Sequence, residues 1–158
     1  MRALILALAT TLAVPIAARA DDATARWAEE ARRFLVNCAA PPAGTSETAC
    51  ALSQAEFVAD YIEAMRGGLT AQRNTGFMLT PGPGAPRRDE RAFIRQDPVH
   101  GCAWRLVVVE AGDAQVAGMD AGNAKAACGH LSQAELAAAR GRAGHIRQEQ
   151  EIAGQATR

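Results

Sequence analysis

The chain is poor in large side chains and has no charge excess. Aromatic residues make up 4% of it, as four phenylalanines, two tryptophans and one tyrosine, and basic and acidic side chains stand at 17 each. Without a concentrated positive field, nucleic acid and anionic membrane are not expected as partners. Lys125 is the only lysine, which reads as codon bias before function. Local enzyme signatures are also missing: there is no H-E-x-x-H, no C-x-x-C-H, no Walker loop and no G-x-S-x-G elbow. Gly82 and Gly84 lack the G-K-[ST] end of a phosphate cradle. No catalytic residue and no cofactor are therefore expected, and a binding role is expected over an enzymatic one.

A membrane-length apolar run is absent as well. The longest apolar stretch, Ala3 to Val14, is shorter than the roughly 20 residues a span needs. It follows Arg2 and leads through Pro15 to Ala18-Arg19-Ala20, an A-x-A cleavage site, so residues 1–20 read as a secretory signal peptide. The first cysteine is Cys38, far from the cleavage point, so no lipid anchor is expected. What remains, residues 21–158, is a single exported domain of 138 residues, periplasmic or secreted, with a net charge of −2.

Within that domain 28 large apolar residues stand against 30 alanines. Alanine buries little area, so a core of this composition needs reinforcement. The four cysteines, Cys38, Cys50, Cys102 and Cys128, supply it. An even count in an exported chain reads as two disulfides, and local pairing favours Cys38 with Cys50 and Cys102 with Cys128.

Apolar positions at Trp27, Ala31, Phe34, Leu35 and Cys38 form one helical stripe and predict a helix over 25–38. Pro41-Pro42 and Gly44-Thr45-Ser46 mark a loop. Leu52-Ser53-Gln54-Ala55-Glu56 reads as a capping box, with Ser53 at the start of a helix that ends at Gly67-Gly68. A bridge from Cys38 to Cys50 would then clip a helical hairpin. Pro81 to Arg91 is expected to be an irregular loop, flanked by short strands at Phe77-Met78-Leu79 and Phe93-Ile94. Cys102 to Glu110, rich in β-branched residues around Trp104, predicts a strand that turns at Gly112-Asp113 and returns through Gln115-Val116-Ala117. Asp120-Ala121-Gly122-Asn123 is expected to break the chain before a short helical turn over 124–128. The same pentapeptide, Leu131-Ser132-Gln133-Ala134-Glu135, opens the last helix.

The fold class expected is α+β: a disulfide-clipped helical hairpin, a small antiparallel β-hairpin and a C-terminal helix, with a mostly α fold as the alternative. His100-Gly101-Cys102 mirrors Cys128-Gly129-His130. Were the thiols reduced, His100, Cys102, Cys128 and His130 would make a Cys2His2 metal set, the alternative to a disulfide between exposed histidines. Glu56, Asp60 and Glu63 share a helix and could serve carboxylate chemistry, although a charged helix face is commonly just solvated. A dispersed active site is the remaining alternative.

From Trp27 to Met65, Cys38, a short loop, Cys50 and a helix carrying Tyr61-Ile62 loosely resemble the small exported immunity proteins with which bacteria block cell-wall amidase effectors of type VI secretion. The resemblance covers about a quarter of the chain. Gly67-Gly68, Cys102 and Cys128 depart from that pattern, and no family is assigned. It implies a protein-binding role. The partner expected is another periplasmic or extracellular protein, with Tyr61, Trp104, Arg87, Arg88 and Arg91 as contacts by residue type.

Overall fold

A computed structural model describes residues 16–81, 90–111, 115 and 118–156, with side chains throughout except at 16–21, 90–91 and 156. Among these residues the protein is all-helical, and the expected β-hairpin is not formed. In chain order the helices are α1 (Ile16–Arg32), α2 (Glu47–Met65), α3 (Leu69–Leu79), α4 (Pro98–Glu110), α5 (Gly118–Cys128) and α6 (Gln133–Ala156). A 3₁₀ turn, Glu90–Phe93, precedes α4.

The largest correction is α4, where a strand was expected over 102–110. Asp97 caps the helix by accepting from the His100 N–H at 3.0 Å, and Pro98 occupies the first turn, where its missing N–H costs nothing. Gly101 to Arg105, Val107 and Val108 are all buried, because α4 lies against α3, α5 and α6. A helix covered on several sides shows no amphipathic period, and its short apolar run is indistinguishable from a buried strand. At Gly101 a side chain would meet Thr80 Oγ1 at 2.7 Å, so glycine permits the close crossing of α3 and α4. Phe77-Met78-Leu79, expected as a strand, ends α3. Of the return strand expected over 115–117, Gln115 is in a turn, and 112–114 and 116–117 lie outside the described residues.

α1 stops at Arg32, six residues before Cys38, where its extension had been expected. The last amides tighten, with Phe34 N–H bonding to the Ala31 carbonyl and Leu35 N–H to that of Arg32, each at 3.1 Å. Leu35 then pairs with Ile94 in a single antiparallel bridge, the only trace of the strand expected at Phe93-Ile94. Gln54 seals it from α2, its side-chain amide donating to the carbonyls of Val36 at 2.8 Å and Phe93 at 3.0 Å. The helical stripe still marks the right residues, since Trp27, Ala31 and Phe34 are core.

α2 begins at Glu47, not at Ser53. Ser46 is the cap, its Oγ accepting from the Ala49 N–H at 3.1 Å, while Ser53 lies buried within the helix. α2 ends where glycines were expected to end it: Gly67 adopts φ 95°, and the Gly68 N–H returns to the Glu63 carbonyl at 3.1 Å. α5 forms across the expected break at 120–123. Asp120 sits in its first turn and receives both Arg73 Nε at 3.0 Å and Nη2 at 2.7 Å.

Both disulfides close, Cys38–Cys50 and Cys102–Cys128, with Cα separations of 5.6 and 5.0 Å. They point to a non-cytoplasmic environment. No helix among the described residues is long and apolar enough to cross a membrane. The core gathers around Tyr61, whose ring packs edge-on to Trp104 at 5.5 Å and touches Phe57 and Phe34 at 6.1 and 6.2 Å.

Candidate functional site

Once α2 starts at Glu47, its residues divide into two stripes. Cys50, Ser53, Phe57, Tyr61 and Ala64 are buried. Ala49, Leu52, Glu56 and Asp60, at steps of three and four, run along the outer side and line a groove of about 1060 Å³. α3 supplies Asn74, Phe77 and Met78 to the groove, Phe57 and Phe93 contribute apolar surface, and the loop before α2 supplies Gly44, Thr45 and Ser46. Leu52 is 62% exposed there.

The loop wall is held from within. It lies inside the ring closed by Cys38–Cys50. Thr45 Oγ1 donates to the Pro42 carbonyl at 2.6 Å, Ser46 caps α2, and Gly44 adopts φ 85°, a conformation glycine tolerates without strain. Across the groove, Asn74 Nδ2 donates to Asp60 Oδ2 at 3.0 Å, joining the rims of α2 and α3. Between 47 and 65, α2 carries Glu47, Glu56, Asp60 and Glu63 and no lysine or arginine. Of the carboxylate triplet considered from sequence, Glu56 and Asp60 reach the groove, while Glu63 lies near Arg66 at 3.7 Å.

The other residues singled out from sequence fall elsewhere. Tyr61 and Trp104 have no exposed surface and cannot serve as contacts. Arg87 and Arg88 lie outside the described residues; Arg91 is placed only by its backbone in the 3₁₀ turn. Cys102 and Cys128 are bonded to each other and offer no thiolate. Half-buried His100 hydrogen-bonds Asp97 at 2.9 Å and packs edge-on to Phe34 at 5.1 Å, and His130 is exposed. Among the described residues, no three of His, Cys, Asp and Glu gather as a metal site would require.

Sequence reasoning missed a polar seam that docks α6. Arg142 pairs with Glu30 and donates to the Tyr61 hydroxyl at 3.3 Å. Glu149 accepts from Trp27 Nε1 at 2.8 Å and from Arg26 at 3.3 Å, and lies 3.0 Å from His145 Nε2. Burial pushes the Tyr61 phenol well above its usual range, with Glu149 adding to the effect, and burial lowers the Arg142 guanidinium. These bonds satisfy polar groups at a helix interface, a positioning task.

The groove was missed too. Its signal was Ser46 followed by Glu47, an earlier start that puts Leu52, Glu56 and Asp60 on one face. No protein-family model, curated protein or solved structure matches this chain.

Proposed function

We propose that residues 21–158 form the mature part of an exported protein, periplasmic or secreted, that recognises another protein without catalysis through the groove between α2 and α3. The construction of the groove carries this reading. Its loop wall is braced by the Cys38–Cys50 bridge, and Leu52 exposes apolar surface beside polar rim residues. A wall ordered before association loses less conformational freedom on binding. An apolar centre with a polar rim is also the anatomy of a protein interface. Export is supported by the leader-like residues 1–20 and by the environment the disulfides point to.

Two measurements test it. Intact protein recovered from outside the cytoplasm should have the mass of Asp21–Arg158 less the four hydrogens of two disulfides. A species retaining Met1 with reactive thiols would overturn export. A photo-cross-linking residue at position 52 should give a discrete adduct with one protein of the same compartment, and the same residue at exposed Lys125 should not. Equal labelling from both positions, or none from either, would overturn binding through the groove.

A further inference from the structure

Resting on that protein-binding reading, we propose that the occupant of the groove is a segment of a partner protein that presents a large apolar side chain beside lysine or arginine. The juxtaposition on α2 carries this assignment. Leu52, Glu56 and Asp60 follow one another at four-residue steps, roughly 6 Å apart along the helix. An occupant lying along that wall therefore meets an exposed leucine and then two carboxylates.

Glu56 and Asp60 differ from the carboxylates that are paired within the fold. Glu30, Glu110, Asp120 and Glu149 each pair with an arginine, namely Arg142, Arg147, Arg73 and Arg26. Glu56 and Asp60 have no cationic partner among the described residues, and Asp60 accepts only from the neutral amide of Asn74. With no lysine or arginine along α2, the nearest charges on that helix, Glu47 and Glu63, have the same sign.

This combination selects among occupants. An acidic segment would be repelled, and a wholly apolar one would strip water from two carboxylates without replacing it, which is costly. A cation flanking an apolar anchor fills the space over Leu52 and pairs the carboxylates inside a concave wall, where charge complementarity is strengthened.

The test uses the disulfide-intact chain from Asp21 and synthetic peptides of about a dozen residues, long enough to follow the groove at about 3.3 Å per extended residue. One peptide carries a central Leu-Phe pair flanked by lysines, a second has glutamate for each lysine, and a third has alanine for the apolar pair. In ¹H–¹⁵N spectra the first should shift amides at and around Leu52, Glu56, Asp60 and Phe77, and added salt should weaken it. Both control peptides should bind at least about tenfold more weakly. Glu56→Gln with Asp60→Asn, and separately Leu52→Ser, should each weaken the first peptide by about tenfold, while Glu151→Gln, on exposed α6 surface, should not. These substitutions replace exposed or half-exposed side chains, and unchanged thermal melts would show that the variants fold.

Equal binding of the glutamate peptide, shifts centred away from α2 and α3, or full affinity in the Glu56/Asp60 variant would overturn the proposal. So would self-association lost on Leu52→Ser, which would make the occupant a second copy of the chain. If a partner cross-links at position 52 but ignores the two carboxylates, the basic-segment inference fails and the binding reading stands. If nothing cross-links there, the binding reading itself fails.

Discussion

The pentapeptide Leu-Ser-Gln-Ala-Glu occurs at 52–56 and again at 131–135, and the two copies do different structural work. At the second, Ser132 and Glu135 form a reciprocal cap: the Ser132 N–H donates to the Glu135 carboxylate at 2.8 Å, and the Glu135 N–H to Ser132 Oγ at 3.3 Å. Leu131 packs against the core, and α6 begins at Gln133. At the first, the same residues lie inside α2, with Ser53 buried, Leu52 exposed and Glu56 on the groove. The preceding chain makes the difference. α5 ends at Cys128, the Leu131 N–H turns back to the Cys128 carbonyl at 3.2 Å, and a new helix starts at Gln133. Before the first copy, Ser46 has already started one, and the bridge at Cys50 holds it. A capping box is a local option worth about 1 kcal/mol, and it is not taken where an earlier start is covalently secured.

The strongest way to break this contrast is to release the earlier start. Cys38→Ser with Cys50→Ser should lower the unfolding free energy by about 2–4 kcal/mol in urea titrations. Amide exchange over 47–52 should quicken most, because Ser53 can then cap a shortened α2. If protection over 47–52 persists, the Ser46 cap suffices and the bridge does not decide where α2 begins.

A smaller effect separates the two leucines. Leu131→Ala removes apolar area that packs on the core and should cost about 1 kcal/mol. Leu52→Ala, at a position 62% exposed, should stay within about 0.5 kcal/mol. Paired urea titrations measure both. Equal losses would mean that Leu52 is packed in the free protein, and the groove would lose its apolar anchor.

Much of the covalent and punctuation detail was legible in the sequence. The cysteine pairs could be matched because short loops close most readily, and Gly67-Gly68 and the Ser132 box act through neighbouring residues alone. α4 was not legible, because its identity depends on burial against three other helices, and the Asp97-Pro98 start outweighs the β-branched run at 107–109. Tyr61 could not be told from a surface aromatic until Phe34 and Trp104 were in place around it. The groove escaped because it joins a disulfide loop, α2, α3 and Phe93, while the sequence marks each only separately. The expected start at Ser53 already put Glu56 and Asp60 on one helix, but it left Leu52 outside that helix and so hid the apolar residue beside them.

The finest effect concerns the copy that does cap. Ser132→Ala should cost about 1 kcal/mol, the usual penalty for losing a serine cap. Glu135 offers a sharper probe, because the Ser132 hydroxyl and then the Ser132 N–H hold its carboxyl below the usual glutamate range. A carboxyl that binds its proton less tightly when folded stabilises the fold fully above the ordinary glutamate pKa. That contribution is lost as pH falls through the lower native value, so between the two the stability rises with pH. In a ¹³C titration the Glu135 carboxyl of the intact protein should therefore protonate later on acidification than an ordinary glutamate. In Ser132→Ala it should move back up, and Glu135→Gln should flatten that part of the acid limb in urea titrations. If Glu135 titrates unchanged in Ser132→Ala, its carboxyl answers to the backbone N–H of residue 132, which that substitution keeps, and not to the serine hydroxyl. The second pentapeptide would then owe its cap to where the helix starts, as the first owes its lack of one.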